Sequence, residues 1–166
     1  MHEGGWGIGW AVMSTRTESA ADVNAIVRSL ETLLADSYAL MGQTHLAHWN
    51  VEGTDFFQLH EGFQGQYEEL FEAVDQIAEH IRSLDAYPPG GLKMLAELSE
   101  ITEMDRRAPA RDFVAHLVEG HEILISNGKE GRKLAGEAGD AETEDLFIER
   151  LRAHQKTLWM LKSHLK

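Results

Sequence analysis

Four side chains stand out for the chemistry that their types and spacing allow: His48, His60, Asp75 and Glu79. Two imidazoles and two carboxylates form a mixed nitrogen and oxygen donor set. Such a set suits Fe(II), with open positions for an oxidant, and Zn(II) competes for it. On a helix running from His60 to Glu79, each residue advances the chain by about 100°. With His60 at zero, Gln64 falls near roughly 40°, Asp75 near 60° and Glu79 near 100° by ideal geometry. These polar groups share one flank, beside an apolar stripe centred near roughly −40°. Height is the stricter constraint. His60 and Asp75 lie about 22 Å apart along such a helix, whereas a metal holds its ligands at about 2.0–2.3 Å. One copy of the helix cannot bring both ends to one ion. Two antiparallel copies meeting on that flank can, with His60 of one facing Asp75 and Glu79 of the other. The arithmetic asks for a two-fold interface carrying two equivalent sites. Spacing alone gives no more than any acidic helical chain with nine histidines offers.

The elements that must position these groups are helices. The only prolines are Pro88, Pro89 and Pro109, and they cut the chain into helical blocks. The first block runs from about Ala20 to Trp49. Its stripe of Val23, Ile26, Val27, Leu30, Leu33, Leu34, Tyr38 and Met41 recurs at three and four residues, and reaches His45 and His48 when extended. Ser19 and Asp22 resemble a capping box at its start. Gly53 marks a turn. The second block, from about Phe56 to Ala86, carries Phe56, Leu59, His60, Phe63, Tyr67, Leu70, Phe71, Val74, Ile77, Ile81 and Leu84. A short helix over Lys93–Leu98 sits in a long connection. The third block spans about Ala110 to Ala138. Asp140 caps the fourth, from Ala141 to the end, striped by Phe147, Leu151, Leu158 and Leu161. Two long helices, a long crossover and two more long helices define an all-α fold, the ferritin-like variant of the four-helix bundle. Its domain is residues 20–166. Residues 1–19, rich in Gly and Trp at the start, read as a flexible N-terminal tail, with Met13 as an alternative start.

Composition narrows the partners. The chain has 28 acidic and 15 basic residues, a net charge of −13. A surface of that sign repels nucleic-acid phosphates unless a basic patch is segregated, and the lysines and arginines read as scattered. It suits the attraction of cations. There is no cysteine, which excludes disulfides and thiol catalysis and fits a cytoplasmic protein. No apolar run approaches the length of a membrane span.

The stretch His48-Trp49-Asn50-Val51-Glu52-Gly53, then Phe56 or Phe57, Leu59-His60, Phe63, Tyr67 and Asp75-Gln76-Ile77-Ala78-Glu79, resembles the signature of the Dps family of mini-ferritins. The segment His154-Gln155-Lys156-Thr157-Leu158-Trp159-Met160-Leu161-Lys162 resembles the family's C-terminal helix, and the likeness covers almost everything from Ala20 onward. The resemblance implies a homo-oligomeric hollow shell, a dodecamer, with ferroxidase centres at its two-fold interfaces. It implies that Fe(II) is oxidised there, by hydrogen peroxide in preference, and stored as ferric mineral, which protects against oxidative damage. His48 and His60 would be metal ligands from one subunit and Asp75 and Glu79 from its partner. The pattern departs at one place: the family commonly has Asp four residues after the second histidine, and this chain has Gln64. A neutral amide is a weaker donor to a hard cation than a carboxylate, so the second iron position is expected to fill less readily. His164 is one candidate to complete it, against its plainer reading as an exposed terminal histidine.

Other residues have two readings each. Trp49, next to the first histidine, shields the site or is an interface aromatic. Asp140, Asp145 and Glu149 resemble the acidic lining of a three-fold pore for cation entry, and equally an acid-capped helix N-terminus. Two alternatives to an iron store remain. One is a DNA-compacting stress protein, which the absence of a lysine-rich tail disfavours. The other is a metal-binding shell without turnover.

Overall fold

In the computed structural model, residues 20–166 are described, and the tail over residues 1–19, with Ser19 of the expected capping box, lies outside them. Five helices form: α1 Ala20–Asn50, α2 Phe56–Ser83, α3 Leu92–Leu98, α4 Ala110–Ala138 and α5 Ala141–His164. The described chain is all-α, a ferritin-like four-helix bundle with the short α3 in its long crossover. The periodic apolar stripes explain the packing. Ile26, Leu30, Leu33, Phe63, Leu70, Ile77, Phe113, Leu117, Leu124 and Phe147 are fully buried in one core. α1 and α2 pair through the turn at residues 51–55, α4 and α5 through Gly139, and α1 packs on α4. Gly139 adopts φ +87°, the left-handed conformation that ends α4, and Asp140 then accepts the Thr143 N–H at 2.9 Å to start α5, as expected.

Of the glycines of α4, Gly131 has the tightest surroundings. A Cβ there would collide with the Phe147 ring and lie 2.5 Å from Ser29 Oγ, so only glycine fits between α1 and α5. The crossover is pinned by one buried carboxylate. Asp36 Oδ1 accepts from Ser99 Oγ and the Glu100 amide, both at 2.9 Å, and Oδ2 accepts from Asn127 Nδ2 at 3.0 Å. Burial pushes the Asp36 carboxyl above its ordinary value, against the pull of those donors.

Two expectations are corrected. α2 ends at Ser83, not Ala86, five residues before Pro88. Asp85 takes φ +60° and the Ala86 amide reaches back to the Ile81 carbonyl at 3.2 Å, which closes the helix without help from proline. Phe71, read as core, is 63% exposed. It stands at about 20° on the scale set by His60, on the flank that carries Asp75 rather than on the buried face.

Candidate metal centre

His48 lies in the last turn of α1 and His60 in the second turn of α2, and the tight connection brings them face to face. Their rings stack with centroids 3.7 Å apart. Each imidazole bonds to the other residue's backbone: His48 Nδ1 donates to the His60 carbonyl at 2.8 Å, and His60 Nδ1 donates to the His48 carbonyl at 2.9 Å. Carbonyl oxygens only accept, so both Nδ1 atoms carry the proton. In the neutral rings both Nε2 atoms therefore keep a free lone pair. Backbone bonds of this kind fix tautomer and ring orientation in metal-binding histidines. The His60 ring also satisfies a carbonyl at the open C-terminal end of α1.

An aromatic collar holds the pair. Phe56 stacks on His60 at 5.0 Å, and Tyr67 sits edge-on to His48 at 5.3 Å. His45, one turn before His48, stacks between Tyr67 at 4.1 Å and Trp49 at 5.3 Å. Burial, and then the charge of His48, lowers the pKa of His45. Trp49 itself is 71% exposed on the chain.

Asp75 and Glu79 occupy the far end of α2, exposed, and neither makes a hydrogen bond or ion pair among the described residues. Asp75 lines a 490 Å³ apolar cleft with Leu34, Tyr38, Phe71, Leu92 and Leu95. Within one chain, the described residues bring no three His, Asp or Glu side chains together around a point that could hold an ion. The chain thus presents an imidazole half and a carboxylate half, separated along one helix. Gln64 lies between them, exposed, its Nε2 donating to Glu68 Oε1 at 2.8 Å. His164 is exposed at the end of α5.

The bundle interior, where related bundles build metal sites from facing helices, is filled differently. Arg150, buried on α5, pairs in a fork with Glu69 of α2 and approaches His154 Nε2 at 3.5 Å. His154 and His121 are each 1% exposed, with Nδ1 atoms 3.0 Å apart. Arginine only donates, so His154 accepts at Nε2, donates from Nδ1 to His121 Nδ1, and leaves the His121 Nε2–H buried without a partner. A fixed guanidinium at this place makes the interior unfit for a second cation. Burial, and then the charge of Arg150, lowers His121 to about 3, and burial, then His121 and Arg150, lowers His154 well below its ordinary value. In the sequence, nothing couples His121 to His154. They are 33 residues apart, and no local spacing marks them as a pair.

At the start of α5, Asp140 is 7% exposed and its Oδ2 has no partner, whereas Asp145 and Glu149 are exposed. His80 turns away from Glu79, its Nε2 bonded to Thr143 Oγ1 at 2.7 Å.

The bundle and its long crossover define a class, and a ferritin-like domain model matches residues 27–166. The chain belongs to the Dps family within the ferritin-like superfamily. It is 36% identical over 143 residues to an uncharacterized low temperature-induced protein of Nostoc sp., covering 85% of this chain and 80% of that one. It is 31% identical over 140 residues to DNA protection during starvation protein 2 of Bacillus anthracis, covering 84% and 96%. Among solved structures it is similar to a Dps protein from Vibrio cholerae O1, described as a member of a superfamily of ferritin-like diiron-carboxylate proteins. That likeness has a TM-score of 0.86 and 30% identity, over 92% of this chain and 99% of the other. Membership carries iron storage and protection from oxidative stress in general terms. No helix of the described residues is long and apolar enough to cross a membrane.

Proposed function

We propose that this chain is a ferroxidase subunit, oxidising Fe(II) at centres shared by two copies and storing the ferric product inside a shell of twelve. The observation that carries the reading is the reciprocal bonding of His48 and His60. It commits both Nδ1 atoms to backbone carbonyls and leaves two Nε2 donors with no carboxylate beside them among the described residues. Asp75 and Glu79, free on the same flank of α2, supply the missing half when a second copy lies antiparallel. Fe(II) binds as substrate between the two halves. Hydrogen peroxide takes one electron from each of two Fe(II) ions, its O–O bond breaks, and two hydroxides and two Fe(III) result. Hydrolysis of Fe(III) then yields mineral and protons. Asp145 and Glu149, with Asp140 behind them, draw cations inward. Trp49 covers the centre at the interface. Residues 20–166 act as one domain, in the cytoplasm.

One observation favours a second reading, a metal-binding shell without turnover in which Zn(II) competes for the site. Gln64 stands where a carboxylate is expected, and its amide nitrogen is committed to Glu68. Nucleic-acid compaction is disfavoured by the net charge of −13. The test is the rate of peroxide-driven Fe(II) oxidation over buffer. The wild type raises it, and His48→Ala and Asp75→Ala remove the gain. A wild type no faster than buffer and indistinguishable from both variants supports the shell without turnover instead.

A further inference from the structure

The apolar cleft beside Asp75 is walled by Leu34 and Tyr38 of α1, Phe71 and Asp75 of α2, and Leu92 and Leu95 of α3. Its rim residues Phe71 and Leu92 are exposed. Trp49, at the far end of α1, is exposed too, with its ring stacked on His45. Cleft and indole share one face of α1. With Leu34 at zero, His45 falls near roughly 20°, Tyr38 near 40° and Trp49 near 60° by ideal geometry.

Their heights also match under a two-fold rotation. The rotation that sets His60 against Asp75 and Glu79 has its axis about level with residue 68 of α2. Gln66 bonds to Thr44 at 2.7 Å and Tyr67 packs on His45 at 4.1 Å, so that level is about residue 42 of α1. Trp49 then falls opposite about residue 35 of the second copy, between Leu34 and Tyr38 on the cleft wall. The axis was placed from α2 alone, and α1 agrees with it independently. Gly42, level with the axis, has no atom within 4 Å of where a Cβ would stand, which leaves room for two α1 helices to approach.

We propose that Trp49 of each copy fills the other's cleft and donates its indole N–H to the Asp75 carboxylate there. This rests on the two-copy centre proposed above. Apolar walls take the ring, and a buried indole N–H needs an acceptor. Asp75 has no hydrogen bond or ion pair among the described residues. Glu72, the other carboxylate lining the cleft, lies about 60° further round α2. Trp49 is thereby a positioning residue. It holds one oxygen of a carboxylate that belongs to the other copy and leaves the second oxygen to the metal.

The chain has no cysteine, so introduced thiols report contacts cleanly. Assembled Trp49→Cys/Leu92→Cys protein is treated with a short bismaleimide and separated under denaturing conditions. Trp49 and the Leu34 wall of the cleft stand about 22 Å apart along one α1, so the link should form between chains and give a covalent dimer. Neither single variant should give one. His60→Cys/Glu79→Cys is the control for the two-copy reading. Dimers from the control pair but not from Trp49→Cys/Leu92→Cys overturn this inference alone, and dimers from neither pair overturn both. Trp49→Phe then keeps the ring and loses the N–H. It should assemble like wild type and bind Fe(II) about tenfold more weakly in anaerobic titration, as losing a group that only orients a ligand costs about 10–100-fold. Unchanged affinity overturns the positioning role.

Discussion

Among the described residues two pairs of histidines touch, and they are built for opposite ends. His48 and His60 each give a proton to a backbone carbonyl and keep Nε2 open at the edge of the bundle. His121 and His154 bond to each other, with Arg150 beside them, inside it. The residue type is the same. The difference is where the lone pairs go: outward to a prospective cation in the first pair, inward to neighbours in the second. Proximity of imidazoles alone therefore says little about metal binding. The bond made by the second nitrogen decides it.

The largest way to break the comparison is to remove one member of each pair. His60→Ala should lower iron oxidation at least about 100-fold, because losing even a group that only orients a ligand costs about 10–100-fold. His121→Leu/His154→Leu should leave oxidation near wild type. Equal losses in stopped-flow oxidation would erase the distinction.

Acidification sharpens it next. His121 and His154 have folded-state pKa values depressed below the ordinary 6.5, to about 3 for His121. Between those limits the unfolded chain binds more protons than the folded one, so their contribution is complete above about pH 6.5 and is lost as pH falls toward 3. Asp36, raised by burial, works the other way: its contribution is complete at low pH and lost as pH rises. With two imidazoles against one carboxyl, Tm should fall on acidification. The His121→Leu/His154→Leu variant should show a shallower slope over that window.

The smallest effect concerns Gln64. Gln64→Asp should tighten binding of the second cation roughly three- to tenfold, as a charged donor replaces a neutral amide. It also faces Glu68 one turn on, a like-charge pair that costs a few tenths of a kcal/mol. Metal titration and thermal melting read the two separately.

Much of this architecture was legible in the sequence, because helices with strong apolar periodicity and explicit ends declare themselves. α4 lies where Pro109 and Gly139 put it, and Asp140 caps α5. The end of α2 was misread because proline was taken as the stop, when Asp85 and the Ala86 amide already close the helix. Phe71 was misread because a stripe of three- and four-residue steps does not separate the core face from a flank about 60° away. At the candidate centre, the sequence carried the spacing of His48, His60, Asp75 and Glu79 and the height argument that separates them. It could not carry the stacking of His48 on His60 or the tautomers. Those depend on how tightly residues 51–55 fold the two helices together. The Arg150–Glu69–His154–His121 chain joins α2, α4 and α5 and leaves no local trace.

The central claim is tested most directly by mixing two defective chains. His48→Ala/His60→Ala subunits lack the imidazole half, and Asp75→Ala/Glu79→Ala subunits lack the carboxylate half. Each alone should be inactive. Co-assembled from equal amounts after dissociation, they should regain about a quarter of wild-type peroxide-driven iron oxidation, because half of random two-fold pairs are mixed and each mixed pair has one intact site. Mixed shells of verified composition that stay inactive would contradict the account, as would either parent that is active alone.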